Sequence, residues 1–362
     1  MRAHPVLSRW ERREERAFAH PASAFRLTIY LAAVGIISPY GGHKMRRIFA
    51  AAIVLMVSAA AHSQDWPQHA VTVVVPFGPG GSADLMGRIL STHLQTRFGV
   101  SFVVDNKGGA GGSIGTGFVA KAANDGYTLL VGTVSSHAIN AALYTKLAYD
   151  LDRDFQPVSL LVRFPNLLIV SPKIPVASVA GLIDYLKANP GKVNYGSSGI
   201  GTSSHLSVVM FAHATGTEMT HIPFRSTGEV VNSMIGGYVD LGIDSMTTTI
   251  PHARSGTVRA LAVTTPQRNA SIPDLPTIAE TLPGYEAIAW QGLFAPAGTP
   301  RPIVDRLAME VKRILETPDV AESLKALGAE PSPMPPEAFA AFARTERAKW
   351  KEAVRVSGAH VD

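Results

Sequence analysis

Glycines and small polar residues stand where an apolar, strand-like run passes into a helical pattern. The clearest case reads Pro76-Phe77-Gly78-Pro79-Gly80-Gly81-Ser82, directly after the run 71–75. Glycines let the backbone approach a ligand closely, and the first N–H groups of a helix have no partner within the helix. An anion fits such a place. The alternative is a glycine-rich turn in which Ser82 merely caps the helix.

Three further stretches place hydroxyl or carboxylate groups at predicted strand ends. One lies at 195–205 before a helix, one at 132–137 after a strand, and one directly after the run 239–243. Open α/β sheets bind ligands at the carboxyl ends of their strands, although a polar turn or a helix cap explains the same residues. The candidate ligand-binding residues are Phe77, Gly78, Gly80, Gly81, Ser82, Ser135, Ser136, Ser197, Ser198, Gly201, Thr202 and Asp244.

Signatures of catalysis are weaker. The segment Gly111-Gly112-Ser113-Ile114-Gly115 matches G-x-S-x-G, but a nucleophile elbow needs its serine directly at a strand-to-helix turn, and Ser113 lies well beyond the preceding strand. Three histidines at 205, 213 and 221 are eight residues apart, and neither H-E-x-x-H nor a P-loop occurs. We expect a non-enzyme without metal or cofactor; a serine hydrolase using Ser113 is the alternative.

Short β-branched runs alternate with helical stretches from residue 70 onward. This rhythm predicts an α/β fold with parallel strands joined by crossover helices, in two sheets. Two of the predicted helices are 82–98 and 179–188, the second with Ser178 as its N-cap. The predicted strands are 71–76, 101–105, 128–132, 166–170, 193–195, 239–243 and 258–263. After residue 275 the sequence predicts proline-punctuated loops and then three helices between 301 and 356.

The first 63 residues have the composition of an export leader. Arg46 and Arg47 follow Met45, an apolar run of 13 residues occupies 48–60, and small residues up to Ser63 offer cleavage sites. A run of this length is too short to span a membrane, which takes about 20 residues. We therefore predict a leader at 1–63 with a signal peptide at 45–63, and export to the periplasm. The chain starts at Met45, or a long charged extension precedes the signal.

Charge and cysteine content exclude several classes of protein. Nine of the 33 basic residues and three of the 28 acidic residues lie within 1–63, which leaves 24 basic against 25 acidic in the remainder. A nucleic-acid partner is therefore not expected, because such binding needs a basic surface on the folded domain. The chain has no cysteine, so disulfides, thiolate metal sites and cysteine nucleophiles are excluded.

Several motifs in fixed order resemble the solute-binding proteins of tripartite tricarboxylate transporters, the Bug family. The resemblance extends over about 66–331. It rests on the segment Val75–Asp84, on Gly109–Gly115, on Ala120–Leu130, on Ser197–Leu206 and on Leu293–Pro300. It implies a two-lobed periplasmic binding protein of type II (a Venus flytrap), with a sheet flanked by helices in each lobe and a small carboxylate between them.

The family layout, combined with the rhythm of the chain, predicts one lobe from 64–165 and 288–362 and a second from 166–287. It implies a monomer that delivers a mono- or dicarboxylate to membrane permease subunits, and a solute-sensing subunit of a signalling system is the alternative. One segment departs from the family pattern. Phe224-Arg225-Ser226-Thr227-Gly228-Glu229 stands where a glycine-rich loop is usual, so no particular solute is carried over.

Overall fold

The computed structural model describes residues 66–357, and the predicted leader and signal peptide lie outside the described residues. The architecture below is that of 67–357. Its strands are β1 Val71–Val75, β2 Phe102–Asn106, β3 Thr128–Thr133, β4 Phe155–Val170, β5 Asn194–Ser197, β6 Thr220–Pro223, β7 Leu241–Ser245, β8 Arg259–Val263, β9 Ile288–Pro296 and β10 Glu330–Pro331.

Helices flank these strands. They are α1 Ser82–Phe98, α2 Ser113–Ala120, α3 Asn140–Leu143, α4 Val179–Ala188, α5 Ser203–Thr215, α6 Thr227–Ile235, α7 Met246–Arg254, α8 Arg301–Leu315, α9 Pro318–Ala326 and α10 Pro336–Ser357. Short 3₁₀ turns occupy Ala110–Gly112 and Ile278–Glu280, and a π-helical turn occupies Ser135–Ile139. No helix in the part of the chain described here is both long and apolar enough to cross a bilayer.

The strands form one continuous sheet in the order β2-β1-β3-β9-β4-β7-β5-β6, with β8 and β10 also pairing with β4. Strands β1, β2 and β3 are parallel, as are β5, β6 and β7, in agreement with the predicted crossover connections. The two predicted sheets correspond to two parts of this arrangement, which the 16-residue strand β4 joins into one continuous sheet. We call the part around β1, β2, β3 and β9 the first half and the part around β5, β6, β7 and β8 the second half.

The pairing of β4 changes abruptly along its length. Phe155–Pro165 pairs with β9 in the first half, whereas Asn166–Val170 pairs with β7 in the second. Only the second of these segments was predicted as a strand. Two prolines in the first, Pro157 and Pro165, argue against a strand because proline cannot donate to the ladder.

One side chain joins the two places where the chain crosses from one half to the other. Fully buried Thr264 accepts a hydrogen bond from the amide of Asn166 at 2.8 Å through its Oγ1. The same hydroxyl contacts the carbonyl oxygen of Ala287, and backbone bonds run from Thr264 N to Asn166 and from Ala287 N to Thr264. The chain passes from one half to the other next to Asn166 and again next to Ala287, so Thr264 ties both passages together.

Local sequence explains the helices that matter for the cleft. Helix α4 begins after Ser178, whose Oγ accepts from the amide of Gly181, and it buries Leu182 and Leu186 on one face. Helix α1 ends at Gly99, which has the left-handed conformation (φ 72°) that glycine adopts without strain. The core of the second half is a cluster of apolar side chains: Leu167, Ile169, Val231, Met234, Val239, Met246, Ile250, Val258 and Val263.

Candidate functional site

A cleft between the two halves brings together the starts of several helices. Its empty space, including the part open to solvent, is about 430 Å³. Six of the twelve predicted residues line it: Phe77, Gly81, Ser82, Ser135, Ser198 and Asp244. The other lining residues are Ala83, Thr133, Val134, Phe164, Ser203, Ser226, Thr227, Ser245, Ala289, Trp290 and Gln291.

The first wall is the start of α1. Gly81 is the N-cap residue but has no side chain to cap the helix, and Ser82 is the first helical residue. The interpretation of Ser82 as an ordinary cap is therefore wrong. Its Oγ instead accepts a hydrogen bond from Nε2 of Gln291, at 2.9 Å, from the middle of β9. The first turn of α1 thus faces the cleft with its free N–H groups.

The second wall is the start of α5. Thr202 is its N-cap and accepts from the amide of His205. The Oγ of Ser135, from the first half, accepts from the amide of Ser203 at 3.1 Å. Nearby, the hydroxyls of Ser198 and Ser204 are 2.8 Å apart. A hydroxyl of one half therefore reaches the helix start of the other.

The third wall is formed by the starts of α6 and α7. Ser226 caps α6 by accepting from the amide of Glu229, and Thr227 follows as the first helical residue. Ser245 is the N-cap residue of α7 and also lines the cleft. The departing segment 224–229 is thus the start of a helix and forms part of the cleft wall.

Asp244 lies between these two helix starts and is only 2% exposed. Its Oδ1 accepts from the hydroxyl of Thr227 at 2.9 Å and from the amide of Ser245 at 2.7 Å. Its Oδ2 is buried and has no hydrogen-bond partner. Burial raises the pKa of Asp244 to about 6, although the hydrogen bonds from Ser245 and Thr227 and the nearby hydroxyl of Ser204 act in the opposite direction.

The electrostatics of the cleft come from backbone dipoles. None of the 17 described residues that line it is a lysine, arginine or histidine. Four helices, α1, α5, α6 and α7, begin at its wall, and each helix start carries a partial positive charge of about half a unit. The cleft can therefore hold an anion without a fixed cation, and Asp244 contributes an opposing negative charge on one side.

The remaining predicted residues lie behind the cleft wall. The hydroxyl of Ser136 bonds within the turn to Thr133 and His137, and that of Ser197 contacts His221 at 2.7 Å. The hydroxyl of Thr202 donates to the carbonyl of Gly199 at 2.6 Å. These side chains support the turns that carry the lining residues.

The glycines form the contact between the halves. Gly78 donates to the carbonyl oxygen of Arg225 at 3.0 Å, and the carbonyl oxygen of Gly80 lies 3.0 Å from the position a Cβ on Gly228 would take. Gly201, by contrast, packs against the side chain of Leu143. The glycine-rich turns therefore bring backbone against backbone, in addition to exposing it to the cleft.

The residues that the sequence did not identify differ in how easily they could have been found. Thr133 and Ser245 end strands β3 and β7, so the strand-end rule applies to them. Gln291 and Trp290 come from β9, a strand that was predicted as loop. Gln291 is 209 residues from its partner Ser82, and no local pattern indicates such a contact.

Ser113 does not have the surroundings of a hydrolase nucleophile. Its Oγ accepts from Nδ2 of buried Asn140 at 3.0 Å, and the described residues provide no histidine bonded to it. Two close Ser–His contacts occur near the cleft in this part of the chain, Ser197 with His221 and Ser136 with His137, and both serines are fully buried. Within 66–357 no three His, Asp or Glu residues are grouped so as to hold a metal ion.

Comparison with known proteins identifies the family. The model of the tripartite tricarboxylate transporter family receptor matches residues 86–358. The chain belongs to this receptor family. The resemblance seen in the sequence motifs is thereby confirmed, and with it the relationship to the Bug proteins.

Solved structures of this receptor family have the same fold. The structure of R. palustris Rpa4515 with adipate is 38% identical, covering 82% of this chain and 100% of its own, with a TM-score of 0.80. The periplasmic binding protein BugD is 36% identical (82% and 99%, TM-score 0.79). MatC (Rpa3494) from Rhodopseudomonas palustris with bound malate is 35% identical (80% and 100%, TM-score 0.76). The predicted fold class, a two-lobed α/β periplasmic binding protein, is confirmed.

Proposed function

We propose that the protein is an exported solute receptor that binds a small organic carboxylate in the cleft and delivers it to the permease subunits of a tripartite transporter. The observation that carries the proposal is the convergence of four helix starts on a cleft without a cationic side chain. Related structures with adipate and malate support the ligand class. The periplasmic BugD supports the compartment.

The interactions that the cleft offers are strong enough to bind a carboxylate with micromolar affinity. A carboxylate at a helix start gains roughly 0.3–1 kcal/mol from the dipole and up to about 2 kcal/mol when partly buried. Each charge-assisted hydrogen bond adds about 1.5–3 kcal/mol. Micromolar affinity needs about 8 kcal/mol. One helix start falls short of this value, whereas several that surround the ligand reach it.

We propose further that the two halves act as lobes, 64–165 with 288–362 and 166–287, that separate to admit the solute. The change of pairing in β4 between Pro165 and Asn166 supports this division. The contacts of Gly78 with Arg225 and of Ser135 with Ser203 would hold the closed form. A ligand that contacts both halves favours that form, because it binds the closed state more tightly.

Calorimetry with a panel of mono-, di- and hydroxycarboxylic acids tests the binding function. The expected result is saturable binding of one molecule per chain, a higher melting temperature with the bound acid, and no chemical change of the acid by NMR. The proposal fails if no acid binds and if native mass spectrometry of the purified protein finds no solute. Pull-down on a membrane fraction, with and without the acid, tests the permease partner.

A further inference from the structure

The cleft contains a buried hydrogen-bond acceptor with nothing to accept from. Asp244 Oδ2 has no partner, while the other oxygen of the same carboxylate is fully engaged by Thr227 and Ser245. The residue is 2% exposed and lines the cleft. An ionised carboxylate can only accept hydrogen bonds, and leaving such a group buried and unpaired is costly.

A second acceptor lies on the opposite wall. Gln291 is 1% exposed; its Nε2 donates to Ser82, and its Oε1 is buried without a partner. A side-chain amide turned by 180° would offer its NH₂ instead, whereas both oxygens of an ionised carboxylate are acceptors. The unpartnered oxygen of Asp244 is therefore the stronger indication of a ligand that donates a hydrogen bond, and the unpartnered oxygen of Gln291 supports it.

None of the described residues donates a hydrogen bond to Asp244 Oδ2. No arginine, lysine or histidine lies among the 17 described residues of the wall. The hydroxyl of Ser204 lies near Asp244, but it contacts the hydroxyls of Ser198 and Thr202 at 2.8 and 2.9 Å. A plain dicarboxylate would bring a second negative charge toward Asp244 and no donor, so it would leave the carboxylate both unpaired and repelled.

We infer that the solute is a carboxylic acid that also carries a hydrogen-bond donor, a hydroxyl or an ammonium group, which binds Asp244 Oδ2. The carboxylate of the solute occupies the helix starts away from Asp244, and the donor turns toward the start of α7. The inference rests on the proposed binding function and adds the chemistry of the solute to it.

Matched pairs of acids test the inference at about pH 8, where simple carboxylic acids with an ordinary pKa near 4 are ionised. The pairs are propionate with lactate, succinate with malate and with aspartate, and glutarate with 2-hydroxyglutarate. Calorimetry is expected to show that the hydroxy or amino acid of any pair that binds does so at least about tenfold more tightly, because hydrogen bonds to a charged group are stronger than neutral ones.

Asp244→Asn assigns the preference to this residue. Asparagine keeps an oxygen for Thr227 and Ser245 but presents an NH₂ group where Oδ2 stood. The preference within a pair is expected to fall to about twofold or less, since a donor then faces a donor. Glu310→Gln is the control, because Glu310 is a buried carboxylate on α8 that pairs with Arg313 and lies outside the cleft. It should leave the preference unchanged.

Three results would overturn the inference. They are equal or tighter binding of the plain acid in the pairs that bind, a preference that persists in a folded Asp244→Asn, and recovery from the purified protein of a solute without hydroxyl or amino groups. If Asp244→Asn does not fold, the affinities of the matched acids for the unchanged protein decide whether the inference holds. Failure of every acid to bind, with no solute recovered, would instead count against the proposed binding function.

Discussion

The amide of Gly78 donates to the carbonyl oxygen of Arg225 at 3.0 Å, which joins the turn before α1 to the turn before α6. Next to this bond, the backbone of Gly80 lies against Gly228. The two turns come from different halves of the molecule, and they meet mainly through backbone atoms, with the Cβ atoms of Arg225 and Ser226 beside the contact. Their glycines thus determine how closely the halves approach.

Gly228→Ala should weaken solute binding by about three- to tenfold. The new Cβ would lie 3.0 Å from the carbonyl oxygen of Gly80, so the halves must separate by a few tenths of an ångström. Alanine favours helix over glycine by about 1 kcal/mol, so the variant should remain folded. Gly117→Ala in α2 is the control, since its Cβ meets only ordinary contacts at 3.7 Å. Calorimetry gives both affinities, and equal values would contradict the role of Gly228.

Ser82→Ala should lower affinity by about five- to twentyfold. The change removes a cleft hydroxyl and also leaves Nε2 of buried Gln291 without its acceptor. Ser91→Ala on the same helix is the matched control, because the Ser91 hydroxyl is buried, has no partner and lies outside the cleft. That control should bind the solute as the unchanged protein does. A similar loss in both variants would show that the effect comes from the helix and not from the cleft.

Asp244→Asn should stabilise the solute-free protein at about pH 8 by about 1–3 kcal/mol. Burial raises the pKa of Asp244 from 3.8 to about 6, so the folded state holds the proton more tightly than the unfolded state. The stability contributed by the protonated form is complete below 3.8 and is lost as the pH rises through about 6. Urea unfolding at several pH values measures the effect, which should vanish near pH 4. Asp184→Asn, an exposed change on α4, should show no such dependence.

Two stacked histidines should make the second half sensitive to acid. The rings of His205 and His221 are 4.3 Å apart, and burial lowers the pKa of each from 6.5 to about 4. Because the unfolded state takes up protons first, stability is present above 6.5 and is lost as the pH falls toward 4. His221→Gln should reduce this loss, as followed by thermal melting between these pH values. The exposed change His213→Gln serves as the control, and an equal effect there would refute the assignment.

Thr264→Val should destabilise the protein by about 1–3 kcal/mol, because the amide of Asn166 is then buried without its side-chain acceptor. Thr265→Val offers a control at the next residue, since the Thr265 hydroxyl is buried and has no partner. Denaturant unfolding compares the two variants. Equal stabilities would mean that Thr264 does not hold the crossings together.

Much of the fold follows from local sequence. Helices 82–98 and 179–188 were predicted with the bounds that the structure shows, because Gly99 and Ser178 mark their ends by simple stereochemistry. The strand β9 was missed. It is buried on both faces over Ala289–Pro296 and therefore lacks the alternation that indicates a strand.

The cleft was predictable in part. Ser82, Ser135 and Ser198 follow strands and Asp244 lies near the end of β7, and the strand-end rule places such residues at one edge of a sheet. Gln291 and Thr227 could not be found in this way. The first depends on the pairing of β9 with strands far away in sequence, and the second on a helix start whose closeness to Asp244 results from the tertiary fold.

The bonds of Thr264 to both passages between the halves have a mechanical consequence. A single side chain fixes the distance between the two connecting peptides, so neither can shift along the sheet without breaking a hydrogen bond. Rotation about a line through Thr264 leaves those bonds intact, whereas sliding does not. If the halves separate as proposed, they would therefore rotate about this side chain, and the contact between Gly78 and Arg225 would open.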